Sequence, residues 1–150
     1  MKKIGEYTTR GTVTSDDSTN RIILFDGRFD TAYKVVEFKI GPNEVTGSTG
    51  VNLSAKLMTF DNGLTGTNWN WENNGEIGWA LFALDGNDPR FTGDAFNLID
   101  PDNLVVEDLF IRAADQQGND VKCNYFIKME KYDISEWQGA LSMVRNRSQA

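Results

Sequence analysis

Val121-Lys122-Cys123-Asn124-Tyr125-Phe126-Ile127-Lys128-Met129-Glu130-Lys131 decides the fold. Val121, Cys123, Tyr125, Ile127 and Met129 point one way. Lys122, Asn124, Lys128 and Glu130 point the other, with Phe126 the single break. Period 2 marks a half-buried antiparallel strand, because successive side chains leave opposite faces of the pleat. Upstream, Leu104 to Ala113 sets Val105, Leu109, Ile111 and Ala113 on one face. Asp108 and Arg112 fall on the other, beside Leu104, Val106 and Phe110. Asp115 to Asp120 joins the two runs with turn chemistry, Gly118 and Asn119 being able to take positive φ. The spacing predicts a hairpin.

A helix is predicted directly after it, over 134–147. Ser135 with Gln138 fits a capping box, and Asp133 with Glu136 fits it in another register. Ile134, Trp137, Leu141 and Val144 recur at helical spacing, and Arg145 and Arg147 suit the negative end of the helix dipole. A helix of about three turns is marginal alone in water. Its apolar stripe therefore has to pack, on its own sheets or on a neighbouring subunit, with Trp137 as the anchor.

The preceding chain reads as further strands. Tyr7 to Thr14 is threonine-rich around Tyr7 and Val13, which suits an edge strand or an arm within residues 1–19. Ser15 to Asn20 reads as a polar loop, and Ile22 to Phe25 as a short apolar strand turned by Asp26-Gly27-Arg28. In Ala32 to Ile40, Val36, Phe38 and Ile40 face one side and Glu37 and Lys39 the other, until Gly41-Pro42-Asn43 ends the run. Val51 to Phe60 alternates likewise, with Asn52, Ser54 and Lys56 outward. Ile77 to Leu84 is nearly all apolar, as in a strand covered on both faces. Phe91 to Ile99 is short and irregular. Seven or eight strands with no helical pattern between them predict one all-β domain over 1–150. The expected form is an antiparallel, jelly-roll-like β-sandwich with one short C-terminal helix.

Composition narrows the function. The 150 residues carry a net charge of −7, 25% charged and 39% hydrophobic residues, no histidine and one cysteine. An acidic chain lacks the clustered Lys and Arg that phosphate binding needs, so direct nucleic-acid binding is not expected. No apolar run approaches the length of a membrane span, and Met1 to Tyr7 lacks the apolar core of a secretory signal. Folding in a reducing cytoplasm is the expectation, with Cys123 a small buried hydrophobe. Zero histidine removes the commonest general base and zinc ligand. No cofactor motif is present. Asp85 to Asp88 and Asp115 to Asp120 cluster oxygen ligands but do not match the twelve-residue calcium loop. Glu72, Glu76, Asp85 and Asp88 are the carboxylates nearest an aromatic loop, and nothing in their spacing selects a hydrolytic pair.

That loop, Asn68-Trp69-Asn70-Trp71-Glu72-Asn73-Asn74, is the best small-molecule candidate. Exposed Trp69 and Trp71 could stack on sugar rings while Asn70 and Asn73 bond hydroxyls. Equally, either tryptophan could cap the core.

The run Tyr132-Asp133-Ile134-Ser135-Glu136-Trp137-Gln138-Gly139-Ala140-Leu141, following a β-rich body, resembles small virion structural proteins of bacteriophages. The resemblance implies a non-enzymatic capsid or decoration (cement) component, made in the host cytoplasm and resident in the virion. Its partners would be copies of itself and other virion proteins. The expected contacts are Tyr7, Val13, Trp137, Leu141 and Val144. A carbohydrate-binding module is the alternative expectation.

Overall fold

Strands whose buried positions recur at period 2 stay dry only if a second layer covers that face, and here the layer is another sheet. The computed structural model describes residues 2–25, 27–28, 30–44, 51–61, 68–84, 94–116, 118, 120–134 and 141. The predicted helix over 134–147 therefore falls almost wholly outside the described residues, as do Trp137 and Val144.

Among the described residues eight strands form in chain order: β1 (Lys2–Thr14), β2 (Asp16–Ile22), β3 (Thr31–Pro42), β4 (Val51–Met58), β5 (Glu76–Leu84), β6 (Asp94–Ile99), β7 (Leu109–Asp115) and β8 (Lys122–Asp133). All pairings are antiparallel. One sheet has the order β1-β8-β3 and the other β2-β7-β4-β5-β6. Ala32, Val106 and Ile134 form a smaller cluster beside one main core, which both sheets feed. Val35, Phe38, Ile40, Cys123, Ile127 and Met129 come from the first, and Leu53, Leu57, Ala80, Leu109 and Ile111 are among those from the second. Cys123 is fully buried, and desolvation pushes its thiol up to about 12, a small backbone hydrogen bond from Gly41 notwithstanding. The turn after β7 holds Gly118 at φ 77°.

Three strand expectations are corrected by tertiary contacts. Strand β2 begins at Asp16, inside the run read as a polar loop, and stops at Ile22, where a strand was expected to start. Arg112 of β7 draws the polar run into the sheet. Its Nη1 donates to Thr19 Oγ1 at 2.7 Å, and its Nη2 lies 3.1 Å from Asp17 Oδ1. Asp17, at φ 60°, absorbs the bulge between Asp16 and Thr19. Leu24 and Phe25 then leave the ladder because the Asp108 carboxylate accepts their N–H groups at 2.8 and 2.9 Å. In β3, a bulge between Val35 and Glu37 buries Val35 and leaves Val36 exposed, opposite to the alternation expected there. Strand β7 starts only at Leu109, because residues 103–105 are engaged by β3 instead.

That engagement follows from ladder parity. In an antiparallel ladder every second residue turns its N–H and C=O to a given neighbour. Ser15 N donates to Val121 O at 2.8 Å, which assigns the odd residues of β1 and β8 to each other. Asn43 N donates to Lys122 O at 3.1 Å, which assigns the even residues of β8 to β3. Tyr33, Val35 and Phe38 must then present their backbone groups to the far edge of β3. Tyr33 exchanges two 2.8 Å bonds with Val105. Val35 N donates to Asn103 Oδ1 at 2.8 Å, and Asn103 Nδ2 donates to Val35 O at 2.9 Å. With its amide oriented to satisfy both groups, Asn97 donates to Phe38 O at 3.0 Å. A buried asparagine side chain thus stands in for a strand partner.

Two measurements test these links. Asn103→Ala leaves both backbone groups of buried Val35 unpartnered and should cost about 2–4 kcal/mol, read as a lower urea midpoint at unchanged m-value. Asp108 is a pH-sensitive clamp. Burial raises its pKa, but the Phe25 and Leu24 N–H groups and Arg21 together outweigh that and hold it below the ordinary aspartate value. Its contribution is therefore full above the unfolded-state pKa and disappears as pH falls through the folded value. Asp108→Asn should flatten that acid limb of the stability–pH curve.

Candidate functional site: an open strand edge and an aromatic platform

The parity that closes β3 leaves β1 open. Odd residues of β1 bond β8, so Glu6, Thr8, Arg10, Thr12 and Thr14 turn their N–H and C=O outward. Among the described residues none bonds them. The strand runs for 13 residues at the edge of its sheet. Native edges are blunted by lysine, proline, bulges or coverage. Here Lys2, Lys3 and a bulge between Lys3 and Gly5 guard one end only. Residues from Glu6 to Thr14 form a regular, proline-free ladder. Lys3 bridges Glu6 at 2.6 Å and Glu130 at 2.7 Å, so these carboxylates hold its pKa high.

Of the expected contact residues, Tyr7 and Val13 lie on this strand. Tyr7 is 49% exposed although it points to the inner side. Its ring meets Tyr33 edge-on at 5.9 Å, and Lys131 Nζ lies 5.3 Å from the Tyr33 ring centre. Val13 packs partly on the core. Leu141 is exposed. Beside β1 the outer face of its sheet carries a shallow dish of about 480 Å³, lined by Arg10, Thr12, Lys39, Asn124 and Phe126 among others.

The second feature covers the outer face of the five-stranded sheet. Lys56 sits on that face between Arg112 and Trp79, yet its side chain is fully buried. Sequence alternation placed Lys56 outward and gave no sign of burial. Its cover is the loop 68–75. Lys56 Nζ lies 3.1 Å from Glu76 Oε2 and donates to Asn68 O at 2.8 Å. Glu76 also accepts from Asn70 N at 2.8 Å, Asn70 Nδ2 at 3.0 Å and Trp79 Nε1 at 3.1 Å. One buried carboxylate thereby ties loop, β4 and β5 together. Of the other candidate carboxylates, Glu72 is exposed, while Asp85 and Asp88 lie outside the described residues.

Held this way, the loop lays its rings on the sheet. Trp69 stacks on Phe96 at 5.8 Å and 24°, and Trp71 meets Trp79 at 6.1 Å and 64°. Trp71 is 61% and Phe96 44% exposed, with Leu98 next to them. The result is a partly exposed aromatic platform. Phe96 and Leu98 escaped the sequence reading, although their period-2 spacing was a usable signal. The two asparagines expected to bond a ligand have structural bonds. Asn70 holds Glu76, and buried Asn73 accepts from Gly75 N at 2.9 Å through Oδ1. At Gly75 any Cβ would come within 1.6 Å of the Phe60 ring, so only glycine lets the loop return.

Comparison with protein-family models, curated protein sequences and solved structures finds no match to this chain.

Removing one member of a buried ion pair strands the other. Glu76→Ala should cost about 3–5 kcal/mol and release the loop, seen as a red shift of tryptophan emission before global unfolding. An unshifted spectrum with unchanged stability would contradict the clamp.

Proposed function

We propose that this chain is a structural component of a virus particle, a capsid or decoration subunit built as a jelly roll. It acts by association with copies of itself and with other particle proteins. A jelly roll is a long hairpin rolled on itself, so eight strands pair first with eighth, second with seventh, third with sixth and fourth with fifth. The pairs β1–β8, β2–β7 and β4–β5 follow that scheme. Strand β6 departs from it by pairing with β5; it reaches β3 through Asn97, and the segment that follows it reaches β3 through Asn103 and Val105.

The observation that carries the reading is the open edge of β1. A subunit that packs against copies of itself needs complementary patches, and an unsatisfied strand edge, which can pair with an identical edge, is one. The resemblance of Tyr132 to Leu141 to phage virion proteins points the same way, with residency in the virion after synthesis in the host cytoplasm. In this reading Trp137, Leu141 and Val144 form a second contact, and no catalysis, cofactor, membrane or direct nucleic-acid contact is involved.

The aromatic platform favours a second reading, carbohydrate binding. Trp69 backed by Phe96, and exposed Trp71, offer ring faces of the kind that stack on sugars.

Light scattering across a concentration series separates the two. Self-association gives a mass that rises to a discrete oligomer or a growing assembly, whereas a monomer mass at every concentration contradicts it. For the second reading, a glycan array should show binding that Trp71→Ala abolishes. No signal above background would exclude it.

A further inference from the structure

We infer that β1 pairs with β1 of a second copy, antiparallel, about a two-fold axis through Thr8. The proposal rests on the self-association reading and specifies its geometry. The outward backbone groups of Glu6, Thr8, Arg10, Thr12 and Thr14 need an extended partner, and an identical strand edge offers the same groups in reverse order.

Side chains select the register. Even residues of β1 share the outer face of their sheet, so an antiparallel partner places even residues opposite even residues. Centred on Thr8, the pairing sets Glu6 opposite the partner's Arg10, and the reverse, with Thr8 facing its own copy and Gly5 facing Gly11. Centred on Glu6 it would oppose two carboxylates, and centred on Arg10 two guanidinium groups. Centred on Tyr7 or Thr9 it leaves both charges opposite neutral residues. Only the Thr8 register makes both unlike pairs.

The groups concerned are ready for it. Among the described residues, Arg10 has no hydrogen-bond or ion-pair partner. Glu6 holds Lys3 through Oε1, and its second oxygen is directed to no described donor. Tyr7, half exposed on the inner side, gains the partner's Thr9 as its neighbour across the seam. Three pairs (Glu6 with Arg10, Thr8 with Thr8, Arg10 with Glu6) fall at positions that exchange both N–H···O bonds. The two three-stranded sheets join into one of six strands, β3-β8-β1-β1-β8-β3.

The test is a charge swap read by light scattering and sedimentation. Glu6→Arg alone and Arg10→Glu alone should each weaken association at least tenfold. The double variant Glu6→Arg/Arg10→Glu should restore it. An equimolar mixture of the two single variants should form a heterodimer. In this register alone, the two arginines of one strand face the two glutamates of the other. Thr8→Pro provides a control independent of charge. It deletes an outward N–H and no bond to β8, so it should abolish association while circular dichroism and melting temperature stay those of a folded protein. If the wild-type protein associates but the single variants associate as tightly, or the double variant and the mixture fail to restore it, the Thr8 register is wrong while self-association stands. If the wild-type protein is monomeric throughout, both fall.

Discussion

Strand β8 can serve each neighbour with only half of its backbone groups. Its odd residues bond β1 and its even residues bond β3, as the Ser15–Val121 and Asn43–Lys122 bonds establish. Everything at the margins of that sheet follows. Each outer strand is left with a set of backbone groups facing away from β8, and a buried or half-buried set must find partners. Strand β3 finds them in Asn97, Asn103 and Val105. This is how residues 94–105, though β6 belongs to the other sheet, draw the two sheets together. Strand β1 has nothing comparable among the described residues, and its even-numbered backbone groups stay turned outward from the sheet.

The two sheets also differ in how their outer faces are finished. That of β1-β8-β3 is polar, with charged side chains around Phe126. That of the five-stranded sheet is apolar over β5 and β6, where Trp79, Leu81, Phe96 and Leu98 share it, and the loop 68–75 is fastened to it by Lys56 and Glu76. A buried ion pair is a weak source of net stability, because desolvation offsets most of the attraction. Its effect here is positional. Glu76 accepts from a lysine, a tryptophan and both nitrogens of Asn70, so the loop has one arrangement in which all are satisfied. The platform of Trp69, Trp71, Phe96 and Leu98 is therefore presented by a fixed backbone.

Much of this was legible in the sequence. Alternation in Val121–Lys131 and Val51–Phe60 gave the inward residues correctly, and the turn at Gly118 was signalled by its composition. Two antiparallel sheets follow from such strands. What alternation could not carry was anything decided by a distant side chain. Arg112 turns a polar run into β2, Asp108 pulls Leu24 and Phe25 out of the ladder, and a bulge reverses Val36. Burial of Lys56 was equally invisible, since its cover comes from a loop twelve residues on. The aromatic loop was singled out for its composition, but Asn70 and Asn73 proved to be bonded within the fold. The open edge was legible in outline only, as a threonine-rich edge strand. Which backbone groups it exposes required the register.

The most direct measurement is residue-resolved amide hydrogen exchange along β1 in dilute and in concentrated protein. Tyr7, Thr9, Gly11 and Val13, whose N–H groups bond β8, should exchange slowly at both concentrations. Glu6, Thr8, Arg10 and Thr12 should exchange rapidly when dilute and become protected as the copies associate. Even-numbered amides that are protected in dilute monomer would contradict the open edge. Even-numbered amides that stay unprotected in associated protein would contradict its use.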